Sequence, residues 1–280
     1  MSIKLVVRRT CVVICMIAMT AGASYCGANL FSVSYDAQLG KDISEEIDAN
    51  RAEYPLLNDA SVRSYVQQMV NQITLSPAVK YRGTFAYDVK VIHDDQTYNA
   101  FCTPGGYIYV YTGLMKYLDD EASLAGVLGH EIAHAEHRHS TKRMTKALGY
   151  QVLLNYLLGK DPGQAEQIAG NLFSGLALLH HSREDESEAD ASSFKYLQST
   201  KWYPGGAMFF FRKIQAEKGG GGGTLERLLS THPLPQDRVD AFQKMIDNAN
   251  IGKPAESNLF SKRYKDLVNR IPSSRGSTGG

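Results

Sequence analysis

Residues Leu128–Ser140 read L-G-H-E-I-A-H-A-E-H-R-H-S and contain the signature H-E-x-x-H at His130, Glu131 and His134. This spacing makes chemical sense on a helix. Residues four apart then lie one turn apart on the same face, where two imidazoles can close on one metal ion. Glu131 is rotated by ~100° from His130. It can therefore reach a water on the metal rather than the metal itself, which is the position a general base needs. Two imidazoles do not complete such a site. The chain must fold so that a third ligand arrives from elsewhere.

The composition permits this. A chain of 280 residues with 43% hydrophobic and 21% charged residues can bury a proper core. A formal net charge of +1 with no basic cluster in the body argues against nucleic acid as a partner. The amino terminus stands apart. Lys4, Arg8 and Arg9 precede an apolar run from Cys11 to Met19, followed by Ala21-Gly22-Ala23. That order predicts a bacterial-type secretory signal over residues 1–23, cut after Ala23, and an exported, periplasmic or cell-envelope protein. An uncleaved anchor and lipid attachment at Cys26 are the alternatives, although Tyr25 occupies a position where lipoprotein signals carry a small residue. Cys26 and Cys102 could pair outside the cytosol or stay free.

Along the chain, Tyr35–Arg51 and Ser61–Ile73 carry apolar residues at helical spacing and predict packing helices. Phe85–His93 is strand-like, and Pro104-Gly105-Gly106 turns the chain into a second extended piece, Tyr107–Tyr111. Tyr107, Tyr109 and Tyr111 share one face of that piece, and Ile108 and Val110 share the other. It is either a core strand or an edge strand near the metal, able to pair with an extended peptide. Asp119-Asp120-Glu121 mark the start of a helix running through His130 to His139. Gly126, Gly129, Ala133 and Ala135 on it are small enough for a neighbouring element to approach closely. Ala147–Leu158 predicts a buried helix, with a membrane-surface position as the alternative.

Residues from Gln164 to about Gln198 predict one long helix, or two with a break, interrupted by the acidic run R-E-D-E-S-E-A-D. Helical phase sorts that run. With Leu179 at the centre of the buried face, Glu186 and Asp190 fall ~20° to either side. Glu188 falls ~180° away, and His181, Glu184 and Asp185 are also far off. Two inward carboxylates are costly without a partner, and a metal is one. Glu186 is thus the candidate third ligand, and Asp190 can accept the other ring N–H of a ligand histidine. Two imidazoles and a carboxylate favour Zn2+. The rival pattern H-E-x-x-H-x-x-G-x-x-H fails, because His137 and Ser140 occupy its glycine and final histidine positions. His137 and His139 are instead expected behind the ligands or at the helix C-terminus.

H-E-I-A-H followed by E-S-E-A-D resembles the gluzincin metallopeptidase family of the CAAX prenyl protease and HtpX, nearest its soluble or periplasmic branch of BepA- and LoiP-like proteins. N-A-F at Asn99–Phe101, P-G-G before the tyrosine segment, R-H-S at Arg138–Ser140 and T-H-P-L-P-Q-D-R at Thr231–Arg238 also match. The match covers roughly Leu39–Asp247. The resemblance implies an α+β, mostly helical zincin-type domain with a small antiparallel or mixed sheet. It implies that His130, His134 and Glu186 bind one Zn2+, that Glu131 is the catalytic base, and that Asp190 orients a ligand. It further places His232 beside the metal, steadying an oxyanion or blocking the site, with Arg238 as its structural companion. The chain departs from those relatives at the five-glycine stretch Gly219–Gly223, and it has neither the helical-repeat extension nor the multiple spans found among them.

Together these readings predict a zinc metalloendopeptidase over residues 24–250, with a C-terminal helix around Leu259–Val268 and a disordered end within 251–280. Its substrates would be unfolded or misassembled envelope proteins held extended against Asn99, Tyr107, Tyr109 and Tyr111, with membrane-surface or outer-membrane association open. The alternative is a chaperone-like or assembly factor whose zinc site is self-blocked.

Overall fold

Val89–Ile92 (β1), Ala100–Thr103 (β2) and Tyr107–Tyr111 (β3) are rich in β-branched and aromatic residues and form one mixed sheet in the order β1-β3-β2. The computed structural model describes residues 29–146, 181–216, 232 and 237–274. β3 runs parallel to β1, pairing Val89 with Ile108, and antiparallel to β2, pairing Phe101 with Tyr109. The 3-10 turn Pro104–Gly106 makes the β2–β3 connection, with Gly105 and Gly106 at φ of 72° and 83°, a region that disfavours side chains.

The two faces of the sheet bury different partners. Val89, Val91, Cys102, Ile108 and Val110 join the main core with Leu124, Leu128 and Ile132. Ile92, Phe101, Tyr109 and Tyr111 form a second cluster with Ile43 and Ile47 of the helix Val33–Ala49 (α1). This overturns the reading of Tyr107–Tyr111 as a peptide-binding edge. β3 is the central strand, so its backbone is paired on both sides, and its tyrosines face away from the H-E-x-x-H helix. Tyr109 and Tyr111 are buried, and Phe101 stacks on Tyr109 at 4.7 Å between centroids.

The helix Ala60–Thr74 (α2) packs on the main core through Val62, Val66, Val70 and Ile73. After the short helix Thr112–Tyr117 (α3) comes Glu121–Glu136 (α4), capped by Asp120, whose carboxylate accepts the Ser123 N–H at 2.7 Å. Every residue of α4 is buried, the signature of a helix at the centre of a fold rather than on its surface. It ends earlier than its sequence pattern suggests. His137 caps it, and Arg138 takes φ of 57°, so His139 lies beyond the break.

Arg183–Leu197 (α5) and Gly206–Ala216 (α6) flank α4. The fit is close: a Cβ on Gly126 would lie 2.3 Å from the Ala207 nitrogen, and one on Gly206 would lie 2.0 Å from the Ala122 oxygen. Arg238–Asn248 (α7) packs against α6 through Phe242, which meets Phe211. Glu256–Leu259 (α8) and Ser261–Val268 (α9) follow, and Tyr264, Leu267 and Ile271 enter the main core. Buried Glu121 ties this end to the start of α4. It accepts from Arg263 Nη2 at 2.5 Å and from Trp202 Nε1 at 2.7 Å, and Tyr65 OH also bonds it. The expectations for residues 1–28, Ala147–Leu158, Gln164–His180, Gly219–Gly223 and 275–280 lie outside the described residues. No helix among the described residues is long and apolar enough to cross a membrane.

Candidate metal centre

Two helices bring the centre together. α4 presents His130 and His134 one turn apart, and α5 presents Glu186 and Asp190 one turn apart. Ser182 starts α5 with a capping box, its hydroxyl accepting the Asp185 N–H while Asp185 accepts the Ser182 N–H. That start fixes the phase of the helix. Glu186 and Asp190 are buried, while Glu184 and Glu188 are exposed, the pattern expected of them, although Leu179, the reference for that phase, lies outside the described residues. Gly129 permits the approach: a Cβ there would lie 2.7 Å from Ser193 Oγ on α5.

The donor atoms converge. His130 Nε2 is 2.9 Å from His134 Nε2, and each lies 3.3 Å from a different oxygen of Glu186. A tetrahedral ion held at ~2.0–2.1 Å by nitrogen and oxygen separates its ligand atoms by roughly 3.3 Å, so this set fits a single small divalent ion. Burial favours neutral His130, but Glu186 and Asp190 facing it push its pKa up to about 9. The field that would hold a proton there also favours a metal cation in its place. His134 is held far below its ordinary value, first by burial and then by the neighbouring His130, and so keeps a free lone pair.

The supporting groups are also buried. Asp190 Oδ1 lies 2.9 Å from His130 Nδ1, an electrostatic contact rather than a well-aligned hydrogen bond. Arg238 donates through Nε and Nη2 to the two oxygens of Asp190 at 2.7 and 2.6 Å, and through Nη1 to Glu186 Oε2 at 2.8 Å. Its guanidinium also lies over the Phe211 ring. Burial opposes the charge of both carboxylates, yet Glu186 is held below its ordinary range by His232 and His130, and Asp190 by Arg238. His232 Nδ1 is 3.0 Å from Glu186 Oε1, making it a fourth donor within reach of one ion.

Glu131 differs from the three candidate ligands. Its Oε2 is buried without a hydrogen-bond partner, and Oε1 is 3.7 Å from His232 Nε2. Burial raises its pKa against the pull of His232 and His130, bringing a carboxylate closer to the range of a general base. An apolar pocket opens beside it, lined by Ala100, Leu114, Val127, Ala207, Phe210 and Phe211.

Two histidines contribute more than their sequence positions suggest. His181 is buried and stacks on His134 at 3.6 Å between centroids, with Arg143 Nη2 2.7 Å from its Nδ1. Helical phase had placed it far off, but it precedes the Ser182 cap, where that phase does not apply. His139 Nδ1 lies 2.7 Å from His134 Nδ1, in keeping with a place behind the ligands. The structure does not bring Tyr107, Tyr109 and Tyr111 to the centre. Asn99 immediately precedes β2, beside pocket-lining Ala100, with a buried Oδ1 that has no hydrogen-bond partner. Cys102 is a free, buried thiol, and Cys26 lies outside the described residues.

Comparison with known proteins agrees with this geometry. The family model described as Peptidase family M48 matches residues 57–246, more than half of the chain. The mitochondrial metalloendopeptidase OMA1 of Schizosaccharomyces pombe is 26% identical over 80% of this chain and 64% of its own length. OMA1 of Arabidopsis thaliana is 32% identical over 64% of this chain and 34% of its own. The beta-barrel assembly-enhancing protease of Escherichia coli K12 is 26% identical over 74% of this chain and 43% of its own. The chain thus spans less than two thirds of the length of these relatives.

Proposed function

The chain belongs to peptidase family M48, and from that membership we propose that it is a zinc-dependent endopeptidase acting on unfolded or misassembled proteins of the cell envelope. The observation that carries this reading is the set of His130, His134 and Glu186 donor atoms at 2.9 to 3.3 Å, beside the unpartnered Glu131 oxygen. His130, His134 and Glu186 would hold the ion, which when bound acidifies a water and polarises the scissile carbonyl. Glu131 takes the proton of the attacking water and passes it to the leaving amine. His232, on the opposite side of Glu186 from Arg238, donates to the carbonyl oxygen as negative charge develops there. Arg238 and Asp190 hold Glu186 and His130 in place.

The substrate backbone would pair with β2, the sheet edge beside the centre, and no longer with the tyrosine strand. The ladder bonds β2 to β3 through Asn99, whose oxygen accepts the Tyr111 N–H. Strand alternation then turns the backbone groups of Ala100 away from β3. The pocket beside Glu131 suits an apolar side chain next to the cleaved bond, the kind of residue that unfolding exposes. Export through residues 1–23, a periplasmic location and work at a membrane surface belong to the same proposal. They rest on the charged and apolar pattern of the amino terminus and on the name of the E. coli relative.

A chaperone-like protein with a self-blocked site is the second reading, favoured by the position of His232 against Glu186. Casein cleavage by the full chain, by Glu131→Gln and by His232→Ala, each with zinc content measured, separates the two. Cleavage by the parent alone, with equal zinc in Glu131→Gln, supports the peptidase. Cleavage gained only in His232→Ala supports the blocked site, and no zinc in the parent refutes the ligand set.

A further inference from the structure

The two histidines of the centre are backed differently. His130 Nδ1 faces Asp190, whose carboxylate is shared with Arg238 and buried with it. His134 Nδ1 instead faces another imidazole, His139, at 2.7 Å. His139 carries the contact outward, its Nε2 lying 3.0 Å from Glu188 Oε2 and 3.5 Å from Asp185 Oδ1. His137 braces Glu188 from the side, with Nδ1 3.1 Å from Oε1 and Nε2 2.7 Å from Ser192 Oγ.

One proton per neutral ring fixes the direction of this chain. With its Nε2 lone pair turned to the ion, His134 holds its proton on Nδ1 and donates to His139 Nδ1. The proton of His139 is then on Nε2 and is donated to Glu188. The same assignment argues against a second ion on His137, His139 and Glu188, although their donor atoms are close enough for one. Such an ion would need the nitrogen that carries the His139 proton.

We propose that His139 and Glu188 are positioning residues of the metal centre. The imidazole fixes the tautomer and ring orientation of His134, and the Glu188 carboxylate strengthens that ring as a metal donor. Glu188 has a side chain 47% exposed, so one ligand of a buried centre is tuned from the protein surface. This rests on the reading of His130, His134 and Glu186 as the ligand set.

The test is zinc affinity of the full chain by chelator competition, with the visible spectrum of the cobalt-loaded protein and the melting temperature of the metal-free protein measured in parallel. Glu188→Gln removes the charge at a surface position. His139→Asn keeps an oxygen near the place of Nδ1 but cannot reach Glu188. Each is expected to weaken zinc binding about tenfold, the lower end of the range for partners of metal-bound histidines. The cobalt spectrum should shift while the metal-free melting temperature of Glu188→Gln stays at that of the parent. The double variant should lose no more than His139→Asn alone, because the two act in one chain. Affinity of Glu188→Gln within twofold of the parent, or additive losses, would overturn the relay and leave the centre intact. Two zinc ions in the parent, with one lost in Glu188→Gln, would overturn it in favour of a second site. A parent that binds no zinc would refute the ligand set itself, a result distinct from both.

Discussion

Arg238 shows how much of the centre hangs on one side chain that is not a ligand. It is buried and donates through its three nitrogens to Glu186 and Asp190, and its loss would leave two carboxylates without their guanidinium partner. Breaking a buried pair from one side costs about 3–5 kcal/mol. At ~2–4 °C per kcal/mol for a domain of this size, Arg238→Ala should lower the metal-free melting temperature by roughly 10 °C. Zinc should recover part of that loss by returning positive charge to Glu186, which thermal melts with and without zinc would show. At this scale the candidate ligand histidines were legible because one helix carries both a turn apart, and Glu186 and Asp190 because they stand four apart on another, so that one face takes both. His181 was not, because it lies before the Ser182 cap and so outside the helix whose phase was applied to it. Glu188 was placed outward correctly, and its reach back to His139 depends on where the chain goes after the break at Arg138.

α4 can lie at the centre of the fold because glycine meets its neighbours at the contact points. Gly126→Ala puts a methyl group 2.3 Å from the Ala207 backbone nitrogen, which no side-chain rotation can relieve. An overpacked contact of this kind costs about 1–3 kcal/mol. The variant should therefore melt several degrees lower and, by moving α6, alter the pocket beside Glu131. The small residues of α4 announced that close approach in the sequence. The order of the strands was not announced. Alternation of Tyr107–Tyr111 is equally good for a central strand and an edge strand, since both faces of this sheet are covered by apolar groups. A proline at Ile108 is expected to break the middle of the sheet. Ala100→Pro is the informative change, because it removes an N–H turned away from β3, which an edge strand tolerates. It should lower kcat/KM for extended peptides at least tenfold, measured per folded molecule because Ala100 is buried in the main core and the proline ring will also lower the melting temperature. Unchanged kinetics would rule out pairing along β2.

Across the whole molecule, the carboxyl-terminal segment is bound into the body at two places, one of them the central helix. Arg263 meets Glu121 at its start, and Asp95 accepts the Ser274 N–H at 2.8 Å while its own N–H reaches Ser274 Oγ at 2.9 Å. Partial burial disfavours the charge of Asp95, but Lys116, Thr112 and the Ser274 amide outweigh it and hold its pKa below 3.8. A depressed carboxyl stabilises the fold above its unfolded value and loses that contribution as pH falls below it. Hydrogen exchange over residues 271–274 should therefore quicken as pH drops below about 3.8, after correction for intrinsic rates, and Asp95→Asn should remove the step. What the sequence determined by itself was periodic and local: the pairing of His130 with His134, the offset of Glu131, the shared inward face of Glu186 and Asp190, and the acidic start of the central helix. The tertiary structure decided everything that depends on which surfaces meet. It made β3 the central strand, seated Arg238 between two carboxylates, and brought His139 and His181 to His134. Helical period fixes direction within an element, whereas contacts between elements depend on packing that no single stretch of sequence encodes.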